Sequence, residues 1–177
     1  MVMLVVGGSG SGKSAWAEDL ACALHVREEG PLLYLAAMDP AGEEGRRRVE
    51  RHRALRAGKG FATLERPLGP APGELPPGST LLLGDLENLL ANHLYAPGGR
   101  GLPGALEAVE ALAAKGRHLV LVGNTIFSDG EEYPPATREY LALLARLQGR
   151  AAALADGAAE VVCGIPVWMK GKEEWFR

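Results

Sequence analysis

Cysteine is nearly missing from this chain: Cys22 and Cys163 are the pair among 177 residues, and neither has a partner at metal or redox spacing. A disulfide framework is thereby excluded, and both thiols are expected in the core of a protein from a reducing cytosol. Positive charge is not in excess either, since 19 Lys and Arg face 22 Asp and Glu for a net charge of −3. No global field draws the chain to nucleic acid or to a membrane surface, so any basic site is local. Long apolar runs are absent too: no stretch nears the roughly 18 residues of a spanning helix, and the opening six residues lack a basic leader. A soluble, cytoplasmic protein with no nucleic-acid or membrane partner is expected. Aromatics supply only 6% of residues, yet the hydrophobic fraction is 47%, enough for a sizeable core. At this length a single α/β domain over residues 1–177 is the natural expectation.

What is present starts with one octet. Directly after the apolar run Val2 to Val6 stands Gly7-Gly8-Ser9-Gly10-Ser11-Gly12-Lys13-Ser14, a full match to the loop that wraps a polyphosphate in backbone N–H groups. Gly7 and Gly12 serve backbone conformations that side chains tolerate poorly, and Gly8 and Gly10 loosen the loop further. Lys13 is the point charge for the β- and γ-phosphates, Ser14 the hydroxyl for Mg²⁺, and the helix that follows turns its positive end to the anion. A strand before and helix-forming Ala15 to Ala21 after supply the context that separates this motif from a mere glycine-rich turn.

Further apolar runs, at Leu32 to Ala36, Thr80 to Leu83, His118 to Val122 and Glu160 to Cys163, read with Met3 to Val6 as buried parallel strands. Helical patterns lie between most of them, at Ser14 to Leu24, Glu43 to Arg56, Leu86 to Tyr95, Ala105 to Ala114 and Ala136 to Ala155. The alternation predicts a P-loop-type, mostly parallel central sheet flanked by helices. Pro- and Gly-rich Arg66 to Gly78 and Ala96 to Gly101 are expected as surface connections. In such sheets ligands sit beyond the carboxyl ends of the strands, which nominates Gly7 to Ser14, Ala36-Ala37-Met38, Gly84-Asp85 and Gly123-Asn124. Asp85 suits an acid that holds Mg²⁺ opposite Ser14, and it suits equally a helix cap.

The segment Arg46 to Arg56 carries six arginines around His52. On a helix Glu44, Arg48, His52 and Arg56 fall four apart and share a face. Flanking guanidinium groups there are expected to lower the pKa of His52 and keep its imidazole neutral, able to attack a nucleotide α-phosphate; a solvated basic face with an incidental histidine is the plainer reading. His25 and His93 are expected on helix surfaces, and His118 at the start of a strand. Trp16 is expected in the core, and the tail Ile165 to Arg177 at the sheet edge or in an oligomer contact.

These residues together resemble the bifunctional adenosylcobinamide kinase / adenosylcobinamide-phosphate guanylyltransferase family of cobalamin biosynthesis. The likeness is carried by Leu4 to Ser14, Tyr34-Leu35-Ala36, Arg48-Val49-Glu50-Arg51-His52-Arg53 with Arg56, Thr63-Leu64-Glu65, Leu89 to Asn92, Val120 to Asn124, Arg146 with Arg150, and Glu160 to Pro166. The resemblance implies two reactions at one nucleotide site. ATP or GTP phosphorylates the hydroxyl of adenosylcobinamide, and then GMP passes from GTP through a guanylyl-histidine to the corrinoid phosphate. By position it makes His52 the nucleophile, with Lys13 also catalytic. Ala36, Ala37, Met38, Arg53, Arg56 and Glu65 become nucleotide contacts, and the assembly a homotrimer. Three departures stand out: Gly84 where the family has an acid, with Asp85 one place on; Thr125 in place of a glutamate; and Gln148 in place of an asparagine. Another small-molecule phosphotransferase, in which His52 only binds phosphate, or a non-catalytic nucleotide- or RNA-binding module are the other readings the residues allow.

Overall fold

A computed structural model describes residues 1–26, 30–37, 50, 54, 56–71, 73–126 and 132–171. Met38, His52 and Arg53, most of the expected helix Glu43 to Arg56, and Trp175 lie outside the described residues.

Seven strands in the described residues form one sheet: β1 (Val2–Gly7), β2 (Leu32–Ala36), β3 (Ala62–Glu65), β4 (Thr80–Gly84), β5 (His118–Asn124), β6 (Gly157–Val162) and β7 (Ile165–Lys170). Their order is β3-β2-β4-β5-β1-β6-β7. All pairings are parallel except that of β7, which returns antiparallel on β6. The helices are α1 (Lys13–His25), α2 (Leu86–Tyr95), α3 (Gly101–Lys115) and α4 (Pro135–Leu154).

Central strands buried on both faces have to be apolar throughout, and Leu81, Leu82 and Leu83 of β4 are all fully buried. Their alternating side chains feed two cores. On one face Ala17, Leu20 and Ala21 of α1 meet Met3, Val5, Leu32, Leu82 and Val120. On the other, Leu86, Leu89 and Leu90 of α2, Val109 and Leu112 of α3, and Leu144 and Leu147 of α4 cover Leu4, Leu33, Leu81, Leu83, Leu119 and Leu121. Helices thus cover both faces of the sheet, and the carboxyl ends of the parallel strands lie along one edge.

Several expectations shift. β6 begins at Gly157 rather than Glu160, because Gly157, Ala158 and Ala159 are buried beside β1 despite their low strand propensity. α3 begins at Gly101 rather than Ala105; Pro103 lies in its first turn, where a missing N–H costs nothing. His93 is not on a helix surface. It is 3% exposed, its Nε2 facing the Leu68 carbonyl at 3.2 Å while Nδ1 accepts the Arg100 N–H at 3.4 Å, and burial lowers its pKa. Cys163 is not a core thiol: it is exposed in the β6–β7 turn at φ 50°. Cys22 is half-buried on α1. Trp16 is half-buried on the α1-side core and meets Trp168 of β7 edge-to-face, their ring centroids 5.8 Å apart.

Candidate active site

Parallel register brings Gly7, Ala36, Glu65, Gly84 and Asn124 to one edge of the sheet: Gly7 pairs with Asn124, and Ala36 with both Glu65 and Gly84. Gly8 to Gly12 turn away from that edge and α1 begins at Lys13. Gly12, at φ 90°, is the α1 cap residue, with no side chain bonded to the first turn and no acidic residue there. The helix therefore presents free N–H groups and its positive end to a ligand, which suits phosphate. A Cβ on Gly12 would also come within 3.1 Å of Gly164 Cα, and the Gly164 N–H donates to the Ser11 carbonyl at 2.8 Å. The β6–β7 turn thus braces the loop from outside.

Lys13 is 8% exposed and folds back to donate to the Gly8 carbonyl at 3.1 Å. Burial lowers its pKa, while the charges of Glu87 and Asp85 work to raise it. An ammonium partly stripped of water and held over the loop interacts strongly with an incoming anion.

Asp85 caps α2: its Oδ1 accepts from the Asn88 backbone N–H at 2.8 Å, and both carboxylate oxygens accept from Asn88 Nδ2. The helix-cap reading of this residue is the observed one, and the carboxylate keeps lone pairs for a second partner. Gly84 has a steric explanation. The Tyr34 hydroxyl donates to the Gly84 carbonyl at 3.3 Å, and a Cβ there would sit 2.6 Å from that hydroxyl oxygen. With Tyr34 in that space, no acid fits at position 84 without displacing it.

Glu87 was not among the sequence candidates. Its Oε1 accepts from the Asn124 N–H at 2.6 Å and from Gln148 Nε2 at 2.9 Å, while Gln148 also donates to the Asn124 carbonyl at 3.0 Å. Oε2 is buried with no hydrogen-bond partner. Burial first, and the Asp85 charge second, push the carboxyl up to about 7. A lone glutamate in a first turn reads as solvated; the available signal was its place two residues beyond Asp85, opposite Gln148. The Ser14 hydroxyl, Asp85 and the under-bonded Glu87 are hard oxygen donors of the kind Mg²⁺ takes. Among the described residues no three His, Cys, Asp or Glu side chains form a metal cluster.

Ala37 is fully buried and its carbonyl accepts from Asn92 Nδ2 at 2.6 Å. Glu65 ends the edge strand β3. Arg56 lies apart from the loop's own contacts: it is 7% exposed, with its guanidinium 3.5 Å above the Tyr34 ring and Nη1 4.0 Å from Glu18 Oε1. Beside it an open depression of about 450 Å³ is lined by Arg56, Ala57, Gly58, Gly60, Phe61 and Thr63.

The fold and its loop define a P-loop NTPase-like α/β protein. Among solved structures the fold is similar to protein PH0250 of Pyrococcus horikoshii OT3, with 10% identity over 98% of this chain and 88% of that one and a TM-score of 0.50. A KaiC-like protein of the same archaeon matches at 13% identity over 97% of this chain and 79% of its own, with a TM-score of 0.46. The P4 protein of bacteriophage phi6, solved in complex with ADP, matches at 15% identity over 98% and 55%, with a TM-score of 0.40. No curated protein sequence matches the chain. Residues 3–169 match the family of cobinamide kinase / cobinamide phosphate guanyltransferase, and the chain belongs to that family. It is a transferase of cobalamin biosynthesis that acts on cobinamide. No helix among the described residues is long and apolar enough to cross a membrane.

Proposed function

We propose that this protein carries out both reactions in sequence at one nucleotide site. ATP or GTP is held by Gly7 to Ser14, with Ala36, Ala37, Met38, Arg53, Arg56, Glu65 and Asp85 as further nucleotide contacts. The hydroxyl oxygen of adenosylcobinamide attacks the γ-phosphorus in line, the bond to the β-phosphate oxygen breaks to release the nucleoside diphosphate, and the hydroxyl proton passes to water. Lys13 and the α1 amides stabilise the charge that spreads over the transferring oxygens. Ser14, Asp85 and Glu87 would hold Mg²⁺, which when bound neutralises phosphate charge. In the second reaction an imidazole nitrogen of His52 attacks the α-phosphorus of GTP and pyrophosphate departs. An oxygen of the corrinoid phosphate then displaces the imidazole, giving adenosylcobinamide-GDP and free histidine.

The observation that carries this reading is the carboxyl edge itself, where the phosphate loop, a desolvated Lys13 and the Asp85–Glu87 acids meet. Support for the histidine comes from sequence proximity: Arg56 lies four residues beyond His52 and is buried against α1. The assembly we propose is a homotrimer. The test is incubation with α-labelled GTP, which should leave an acid-labile, base-stable label on the wild type and none on His52→Ala. A wild type that takes no label would remove the guanylyl-histidine. Lys13→Ala should lower phosphorylation of adenosylcobinamide by about 10²-fold or more; unchanged turnover would displace the site from the loop.

A further inference from the structure

Glu87 stands in the first turn of α2, and Gln148 reaches it from near the end of α4. Gly123 of β5 leaves the space for that reach: a Cβ there would lie 2.9 Å from Gln148 Nε2 and 3.6 Å from Glu87 Oε1. Nε2 carries two protons and meets two acceptors, Glu87 Oε1 at 2.9 Å and the Asn124 carbonyl at 3.0 Å. Turning the amide over would set oxygen against oxygen, so its orientation is fixed by its partners. Two turns earlier on α4 the Tyr140 hydroxyl donates to the Glu87 carbonyl at 3.1 Å. Between these residues Leu144 and Leu147 are buried in the core, which holds α4 against the sheet. One helix thus grips both the backbone and the carboxylate of Glu87.

The two oxygens of that carboxylate are treated unequally. Oε1 accepts from Gln148 and, at 2.6 Å, from the Asn124 N–H, whereas Oε2 is buried with no hydrogen-bond partner. A buried acceptor left unpaired costs free energy, and the negative charge of Asp85 beside it adds to that cost. Such an oxygen suits a hard divalent cation. Groups that hold a metal ligand by its other atoms set how tightly the ion is bound. Gln148 also fixes the end of β5, where Asn124 pairs with Gly7 and the Thr125 N–H donates to the Gly7 carbonyl at 3.1 Å. The amide therefore ties the acids of α2 to the strand beside the start of the phosphate loop.

We propose that Gln148 is a positioning residue for the divalent cation: by occupying Glu87 Oε1 it fixes the carboxylate with Oε2 left for the ion. This rests on Glu87 being a ligand of Mg²⁺, as argued above. Gln148 touches neither metal nor nucleotide in this role; it acts through Glu87.

The test uses Mn²⁺ as the probe ion on the full chain, with protein in excess over an ATP analogue carrying a β,γ-imido bridge, and reads bound metal from the loss of the free-ion EPR signal. Wild type is compared with Gln148→Met, which keeps the length of the side chain and removes both donors, with Glu87→Gln, and with the double variant. Arg150→Gln is the control, since it breaks only a half-exposed ion pair between α4 and Glu110. Gln148→Met should weaken Mn²⁺ binding by about tenfold or more and leave affinity for the analogue in EDTA unchanged. In phosphorylation it should raise the Mg²⁺ concentration needed for half-maximal rate while preserving the rate at saturating Mg²⁺. The double variant should bind Mn²⁺ no more weakly than Glu87→Gln, and Arg150→Gln should match wild type. Should Gln148→Met not fold, Gln148→Asn, whose amide sits one methylene short, carries the same comparison. Unchanged Mn²⁺ affinity in the Gln148 variant, with a loss in Glu87→Gln, would overturn the positioning role alone. Unchanged affinity in Glu87→Gln would overturn the reading of Glu87 as a ligand and this proposal with it. Additive losses in the double variant, or an equal loss in Arg150→Gln, would make Gln148 merely structural.

Discussion

At Glu87 burial and the nearby Asp85 hold the carboxyl up to about 7 against an ordinary value near 4.5. Between those two pH values the folded chain binds a proton that the unfolded chain has released, so stability from this group falls as pH rises from about 4.5 to 7 and stays lower above. Glu87→Gln removes that slope while keeping an acceptor for the Asn124 and Gln148 donors. Denaturant unfolding without nucleotide or metal should therefore find Glu87→Gln more stable than wild type at pH 8, by about 1–3 kcal/mol, and closer to it at pH 5. A variant less stable at pH 8 would contradict this reading of Glu87. His93 acts oppositely: its pKa is lowered, so acidification below about 6.5 costs stability, and the comparison of variant with wild type cancels that contribution. Glu87 is also where sequence reasoning stopped short. The phosphate loop was legible because Gly, Lys and Ser each have one job at fixed spacing. A buried glutamate is visible only once α2, β5 and α4 converge on it.

The phosphate loop and its flanking elements carry the next prediction. Gly12 combines φ 90° with the 3.1 Å approach of its would-be Cβ to Gly164 Cα. Gly12→Ala should cost about 1–3 kcal/mol in thermal or chemical unfolding and weaken ATP or GTP binding by about tenfold or more, read by calorimetry. Asp85→Ala removes the α2 cap, worth about 1 kcal/mol; a loss of Mg²⁺-dependent nucleotide affinity beyond that in titration would support its second role. Element by element, strands with uniform apolar runs, such as β4 and β5, were readable from sequence. β3 was not, for its Ala62-Thr63-Leu64-Glu65 is exposed at all but Leu64 and is set by pairing with β2. For Ile165 to Arg177 the sequence predicts cover for the sheet edge or an oligomer contact, and Ile165–Lys170 form a strand at that edge: Pro166 and Trp168 alternate with exposed Ile165, Val167 and Met169. Edge placement and the turn at Cys163-Gly164 decide it, rather than apolar content alone.

On the scale of the molecule, β7 leaves an outer strand with three exposed apolar side chains, Ile165, Val167 and Met169 at 66%, 52% and 59%. Unprotected edges of this kind favour association. Val167→Lys should change unfolding stability by no more than about 0.5 kcal/mol and shift sedimentation toward the monomer. An unaltered sedimentation coefficient would put any contact of the proposed trimer elsewhere. The arrangement of strands has a further consequence, in time rather than in space. β1 precedes the other described strands in the chain, yet its two neighbours are β5 and β6, and the turn that braces Ser11 and Gly12 follows β6. Such long-range pairing forms slowly, so a growing chain holds its glycine loop unsupported until β6 and the turn after it have been made. The ability to grip nucleotide should therefore appear only once β6 has been made, and a ribosome-stalled fragment ending before residue 157 should not be retained on an immobilised nucleotide that captures the full 177 residues.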